Sequence, residues 1–185
     1  MKKNVNLLPS MKSILKNNKP VLRFLAIFIF SYTILYIQYY FLVLNSKEID
    51  YFTKIVSEQT VKLLNLIGYE TTAKTNKTND FINLYVRTKN VAGITEGCNA
   101  ISVIILFIAF VISFAKDFKK TLLFTTIGVG IIHVMNIIRI VILTVCLYHF
   151  PKYSTPLHDY VFPAIIYGVV FILWMYWVNL FKKNK

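Results

Sequence analysis

The sequence predicts an all-α membrane protein of about four transmembrane helices, with an outward-facing amphipathic helix and a short strand and loop insertion between the first and second spans. Two observations carry this expectation. Four apolar stretches, Val21 to Leu44, Cys98 to Ala115, Thr121 to Phe150 and Tyr160 to Phe181, hold 94 of the 185 residues, and roughly 20 helical residues cross a hydrocarbon core of ~30 Å. The 21 Lys and Arg, against 8 Asp and Glu for a net charge of +13, fall mostly between those stretches. An ordinary soluble domain does not combine such charge with 56% hydrophobic residues.

Taken in order, residues 1–20 read as a basic cytoplasmic tail and 21–185 as a single transmembrane helical domain. The first span, 21–44, starts too late, runs too long and lacks the small-residue cleavage site of a removable signal. The outer insertion, 45–97, opens with Phe52, Ile55, Val56, Leu63, Leu64, Leu66 and Ile67 at roughly helical spacing, ending at Gly68. Such a helix lies on the membrane or on the bundle. Thr71 to Asp80 reads as loop, Phe81 to Val86 as a short strand, and Lys89-Asn90 as a turn. Spans at about 98–115, 121–150 and 160–181 complete the chain, with no internal repeat and no low-complexity tract.

Orientation follows from the basic flanks, because Lys and Arg beside span ends are held on the cytoplasmic side. Five Lys precede the first span and Arg23 lies at its very edge, three (Lys116, Lys119, Lys120) join the second to the third, and three (Lys182, Lys183, Lys185) follow the fourth. The connector after Phe150 offers only Lys152, and residues 45–97 balance seven basic with six acidic side chains. Both termini are therefore expected in the cytoplasm, and the two latter connectors outside a cell inner (cytoplasmic) membrane. The excess charge reads as topology and anionic-lipid contact, with no nucleic acid implied. Two cysteines make no disulfide framework and no zinc site at short spacing, and no cofactor is expected.

Polar residues at depth are the informative ones, since an arginine at a helix centre costs roughly 2.5 to 3.5 kcal/mol on insertion scales. Arg139 is such a residue, and His133, Asn136 and Arg139 are spaced by three on one helical face. Cys98 follows Glu96-Gly97 where the insertion enters the second span, so it is expected on the first turn of that helix, where orphan amides favour a thiolate. His158, beside Asp159, precedes the last span on the same side and titrates near neutrality. Cys146 reads as a small buried hydrophobe, and His149 competes with His158. A thiol, a guanidinium and an imidazole facing one leaflet are the groups that acyl transfer needs. Two alternatives stay open: a non-enzymatic scaffold or transport subunit in which Arg139, Asn136 and His133 are packing groups, and a weaker one, a metal held by Cys98, His133 and His158.

Three segments, Glu96-Gly97-Cys98-Asn99-Ala100, Asn136-Ile137-Ile138-Arg139-Ile140 and His158-Asp159, resemble the exosortase and archaeosortase family of membrane cysteine transpeptidases, and more narrowly its short Bacteroidetes-type members. The order and separation match from about Leu63 to the C-terminus. By that resemblance Cys98 is the nucleophile, Arg139 its electrostatic partner and His158 the acid and base. Glu96, Asn99 and Asn136 are expected at the substrate. Where many members read Cys-Ser-Gly, this chain reads Cys98-Asn99-Ala100. The resemblance implies exported proteins with a C-terminal sorting signal (a short motif, a hydrophobic helix and a basic tail) as partners, and an acceptor or water that takes the cleaved chain. Having fewer spans than many relatives implies an accessory membrane partner.

Overall fold

The computed structural model describes residues 18–41, 49–75, 81–153 and 156–182. Most of the expected basic tail, residues 1–17, and the end of the first apolar run, 42–44, lie outside the described residues. Helix α1 (Lys19–Tyr39) opens with Pro20 in its first turn, where the missing N–H costs nothing. Helix α2 (Tyr51–Leu66) is capped by Asp50, whose side chain accepts from Thr53 N–H at 2.9 Å. It ends at Gly68, whose φ of 89° suits glycine alone, with Tyr69 N–H donating back to Leu64 C=O.

Three antiparallel strands follow, in spatial order β1 (Thr71–Thr75), β2 (Ile82–Val86), β3 (Lys89–Ile94). The strand expected at 81–86 is present, but two of its neighbours were not anticipated. Thr71–Thr75 is a strand and not a loop, because its β-branched threonines pair with Val86 through Ile82. Residues 89 and 90 open β3 and not a turn; the hairpin turns at Arg87-Thr88, with Arg87 at φ 55°. Ile82, Leu84 and Val86 alternate inward and are buried.

The sheet and α2 form a unit seated on the helices. Its core joins Val56, Leu84 and Ile94 to Ile140, with Cys98 packed at its margin. Only part of the apolar stripe of the amphipathic helix turns inward, and hydroxyl residues share that face. Thr53, Val56, Ser57, Thr60 and Leu64 are buried, while Phe52, Leu66 and Ile67 are exposed. Small hydroxyl residues let the helix approach closely.

Of the four expected spans, three are helices of crossing length: Lys19–Tyr39, Leu157–Leu180 and the 32-residue α4 (Phe118–His149), which Asp117 caps at Lys119 and Lys120 N–H. The second, expected over 98–115, is helix α3 (Ile101–Ser113), apolar but only 13 residues long. At 1.5 Å per residue it covers ~20 Å and does not by itself match a ~30 Å hydrocarbon layer. The missing residues at its start are diverted into irregular backbone around Cys98.

Helix α5 (Phe162–Lys182) packs with α3 and α4 around Ile104, Phe107, Val111, Ile132, Val170 and Trp177. Trp177 Nε1–H donates to the Val111 carbonyl at 3.2 Å, tying α5 to α3. Gly128 of α4 sits against the buried Phe107 ring, which a β-carbon there would overlap. Because Phe107 is wedged beside Phe124 and the latter stacks on Trp177, the ring has no easy retreat. Gly128→Ala should therefore destabilise the protein by about 1 to 3 kcal/mol, and adding Phe107→Leu should recover much of the loss. Thermal unfolding in detergent micelles measures both; an unaffected single variant would contradict this packing.

Candidate active site

The chain from β3 to α3 makes the site. Residues Glu96–Cys98 form one 3-10 turn, with Cys98 N–H bonded to Thr95 C=O at 2.8 Å and Asn99 N–H to Glu96 C=O at 3.4 Å. Ala100 then adopts φ 62°, ψ 9° before α3 begins. Cys98 thus stands ahead of the helix and not on its first turn as expected, because the left-handed residue separates the two. Its thiol lies 3.7 Å from the Thr95 hydroxyl and is half-buried.

Two buried amides hold this turn. Asn136, fully buried on α4, donates from Nδ2 to the Cys98 carbonyl at 2.8 Å. Asn99, 2% exposed, accepts Ile101 N–H on its Oδ1 at 2.9 Å. Its Nδ2 reaches Tyr39 Oη, Thr53 Oγ1 and both Asp50 oxygens at 3.3 to 3.4 Å. The Thr53 hydroxyl also donates to Asp50. Both asparagines were expected to touch substrate. In this structure both are enclosed and fix the backbone beside Cys98, and Asn136 Oδ1 is left buried with no hydrogen-bond partner among the described residues. Asp50, Thr53 and Tyr39 were missed by the sequence reading; Asp50 before an apolar-periodic helix was the available signal, as an N-cap.

One cleft, enclosing about 260 Å³, is lined by Thr95, Gly97, Cys98, Arg139, His158 and Tyr167 among others. It brings together the thiol, guanidinium and imidazole that come from three separate segments. Arg139 is half-buried, and its Nε is buried with no hydrogen-bond partner among the described residues. Asn136 and Arg139 lie 18 and 21 residues beyond Phe118, or ~27 and ~32 Å along α4. The cleft is therefore ~30 Å along α4 from its Lys119-Lys120 end.

His158 lies on a π-helical turn, Leu157–Val161, and its Nδ1 is 2.7 Å from Asp159 Oδ1. An ionised carboxylate only accepts, so in this pair Nδ1 carries the hydrogen and Nε2 is the nitrogen left for proton exchange. Both side chains are more than half exposed. Glu96 is half-buried at the start of the 3-10 turn and does not line the cleft. His149 is elsewhere, bonded through Nε2 to Tyr69 Oη at 2.9 Å. His133 faces α2, 2.7 Å from Gln59 Oε1. Cys98, His133 and His158 do not form a ligand set, and among the described residues no three His, Cys, Asp or Glu side chains group as metal ligands.

Residues 18–180 match the family described as transmembrane exosortase (Exosortase_EpsH). The chain belongs to the transmembrane exosortase family. No curated protein and no solved structure matches it. For this exosortase-family protein the backbone at residue 100 is telling. An L-residue in the left-handed region costs roughly 1 to 2 kcal/mol, a cost that glycine escapes. Ala100 is itself buried, so the strain is held by packing. Ala100→Gly should raise thermal stability by about 1 kcal/mol, whereas Ala100→Val should lower it sharply; equal melting of the glycine variant and the parent would contradict the strain.

Proposed function

We propose that this exosortase-family membrane protein is a cysteine endopeptidase and transpeptidase that cleaves C-terminal sorting signals of exported proteins. The observation that carries the reading is the single cleft shared by Cys98, Arg139 and His158. His158 Nε2 takes the proton of the Cys98 thiol, and the resulting thiolate attacks the scissile carbonyl carbon, forming a C–S bond and moving the carbonyl electrons onto oxygen. The Arg139 guanidinium, lining the same cleft with a buried unpaired Nε–H, stabilises that oxyanion. As the C–N bond breaks, His158 Nε2 gives its proton to the departing amine, and a thioester remains on Cys98. An acceptor nucleophile or water then gives its proton to Nε2 and attacks the thioester. The C–S bond breaks and the thiolate is restored.

Asp159, bonded to Nδ1, holds the imidazole with Nε2 available throughout. The exposed apolar surface of α5, including Phe171, Ile172, Met175 and Tyr176, gives the hydrophobic helix of a sorting signal a lateral surface in the bilayer. In this reading both termini are cytoplasmic, the cleft opens on the outer side of the inner membrane, and an accessory membrane protein completes the assembly.

Cys98→Ala and Arg139→Lys should leave the protein in the membrane but stop the trimming of an exported protein in the native host. The lysine variant keeps the charge and loses the planar fork, so its rate should fall by about 10² or more. Mass spectrometry of exported C-termini reads this directly. Normal processing in both variants would leave the scaffold reading standing instead.

A further inference from the structure

The cleft around Cys98 continues into a second groove that the reaction steps above do not use. This groove, about 350 Å³, runs along Val91, Ala92 and Gly93 of β3, faces Leu143 and Leu147 of α4, and reaches His158. His158 lines both spaces. Strand β3 is the outermost strand on that side of the sheet, and among the described residues no strand pairs with its other edge. A strand edge without a partner presents a row of backbone N–H and C=O groups to whatever lies beside it.

The opposite wall has a matching period. Leu147, Leu143 and Arg139 are spaced by four, so they descend one face of α4 from the outer end of the groove to the cleft. Eight helical residues are ~12 Å, and an extended chain covers that in three to four residues at ~3.3 Å each. The gap is closed by a helix and not by another strand, and Lys89 Nζ at its outer end is 3.5 Å from the Tyr148 carbonyl on that helix. The edge residues Val91 to Gly93 thus share an open groove with Leu143 and Leu147.

We propose that the free edge of β3 binds the acyl segment of the substrate as an added parallel β-strand, delivering the scissile carbonyl to Cys98. The proposal rests on the transpeptidase reading. The direction follows from continuity: a chain arriving from outside enters at the Lys89 end, runs with β3, and reaches the thiol before it turns down into the membrane. Backbone pairing supplies the hold, and Leu143 and Leu147 select apolar side chains at alternate positions. One enzyme can then accept varied motif sequences, since the edge pairs with peptide groups and side-chain selection is confined to the Leu143 and Leu147 wall.

The test uses the full-length protein in membranes and N-acetyl-tetra-alanyl chloromethyl ketone, a peptide electrophile whose chain lies on the acyl side. Cys98 sulfur displaces its chloride, and the alkylation rate is divided by the rate with iodoacetamide, which has no peptide. Two methylated versions of the probe carry N-methyl groups at residues 1 and 3 or at residues 2 and 4. Alternate residues of a parallel strand face the neighbouring edge, so one version should lose about tenfold in the rate ratio and the other under about twofold. Equal losses, or none, would overturn strand addition. Val91 is the residue skipped by the β2 ladder, since Asn90 pairs with Tyr85 and Ala92 with Leu84. Proline is tolerated at such a bulge, so Val91→Pro should lower the ratio for the unmethylated probe; an unchanged ratio would remove the site from this edge. Should that variant not accumulate, the methylation pair decides alone. Failure of both reagents to alkylate Cys98 would strike the transpeptidase reading itself, whereas ready alkylation with no difference between the frames strikes only the strand.

Discussion

The hydrogen bond from Asn136 to the carbonyl of Cys98 is the constraint from which the rest of the site follows. It joins the long helix α4 to a turn that has no regular structure of its own to hold it. A buried carbonyl without a donor costs roughly 1 to 3 kcal/mol, so the turn is fixed wherever the amide is. Arg139, three residues along, is then automatically on the same side as the thiol. The two polar groups that make α4 expensive in a membrane thus act on one point.

The second asparagine answers the first from the opposite side. Asn99 links the Cys98 segment to the cap of α2 and to the end of α1 through Asp50, Thr53 and Tyr39. Helices that are far apart in the chain therefore converge on two consecutive residues. The shortened α3 is part of the same arrangement. Its N-terminal residues are spent on the 3-10 turn and the left-handed Ala100, which aim the thiol into a cleft and not along the helix axis. The proposed function uses that aim, and the β3 groove gives it a line of approach.

Much of this was legible in the sequence, and the exceptions have physical causes. Apolar length and basic flanks gave the membrane helices, but length alone does not register that Asn99-Ala100 breaks the second run, so a full span was expected where α3 has 13 residues. Thr71–Thr75 has no apolar alternation, since four of its five residues are exposed; only the pairing with β2 makes it a strand. The inward face of α2 was legible only in part: Val56 and Leu64 of the apolar stripe are buried, but small hydroxyl residues join them while Phe52, Leu66 and Ile67 face out. Cys98, Arg139 and His158, which line one cleft, were singled out because each is costly or reactive where it stands. The two asparagines hold backbone beside Cys98, which the sequence did not show, as nothing in a sequence tells a buried amide from one that meets a ligand.

The central claim is that a thiol, a guanidinium and an imidazole from three segments share one space, and bridging two of them chemically tests it most directly. In a Cys146→Ser background carrying His158→Cys, dibromobimane should link position 158 to Cys98 in native membranes and become fluorescent. A background carrying Phe118→Cys, at the other end of α4, should give no link. Bridging to position 118, or its absence at 158 while both thiols react singly, would contradict the shared cleft.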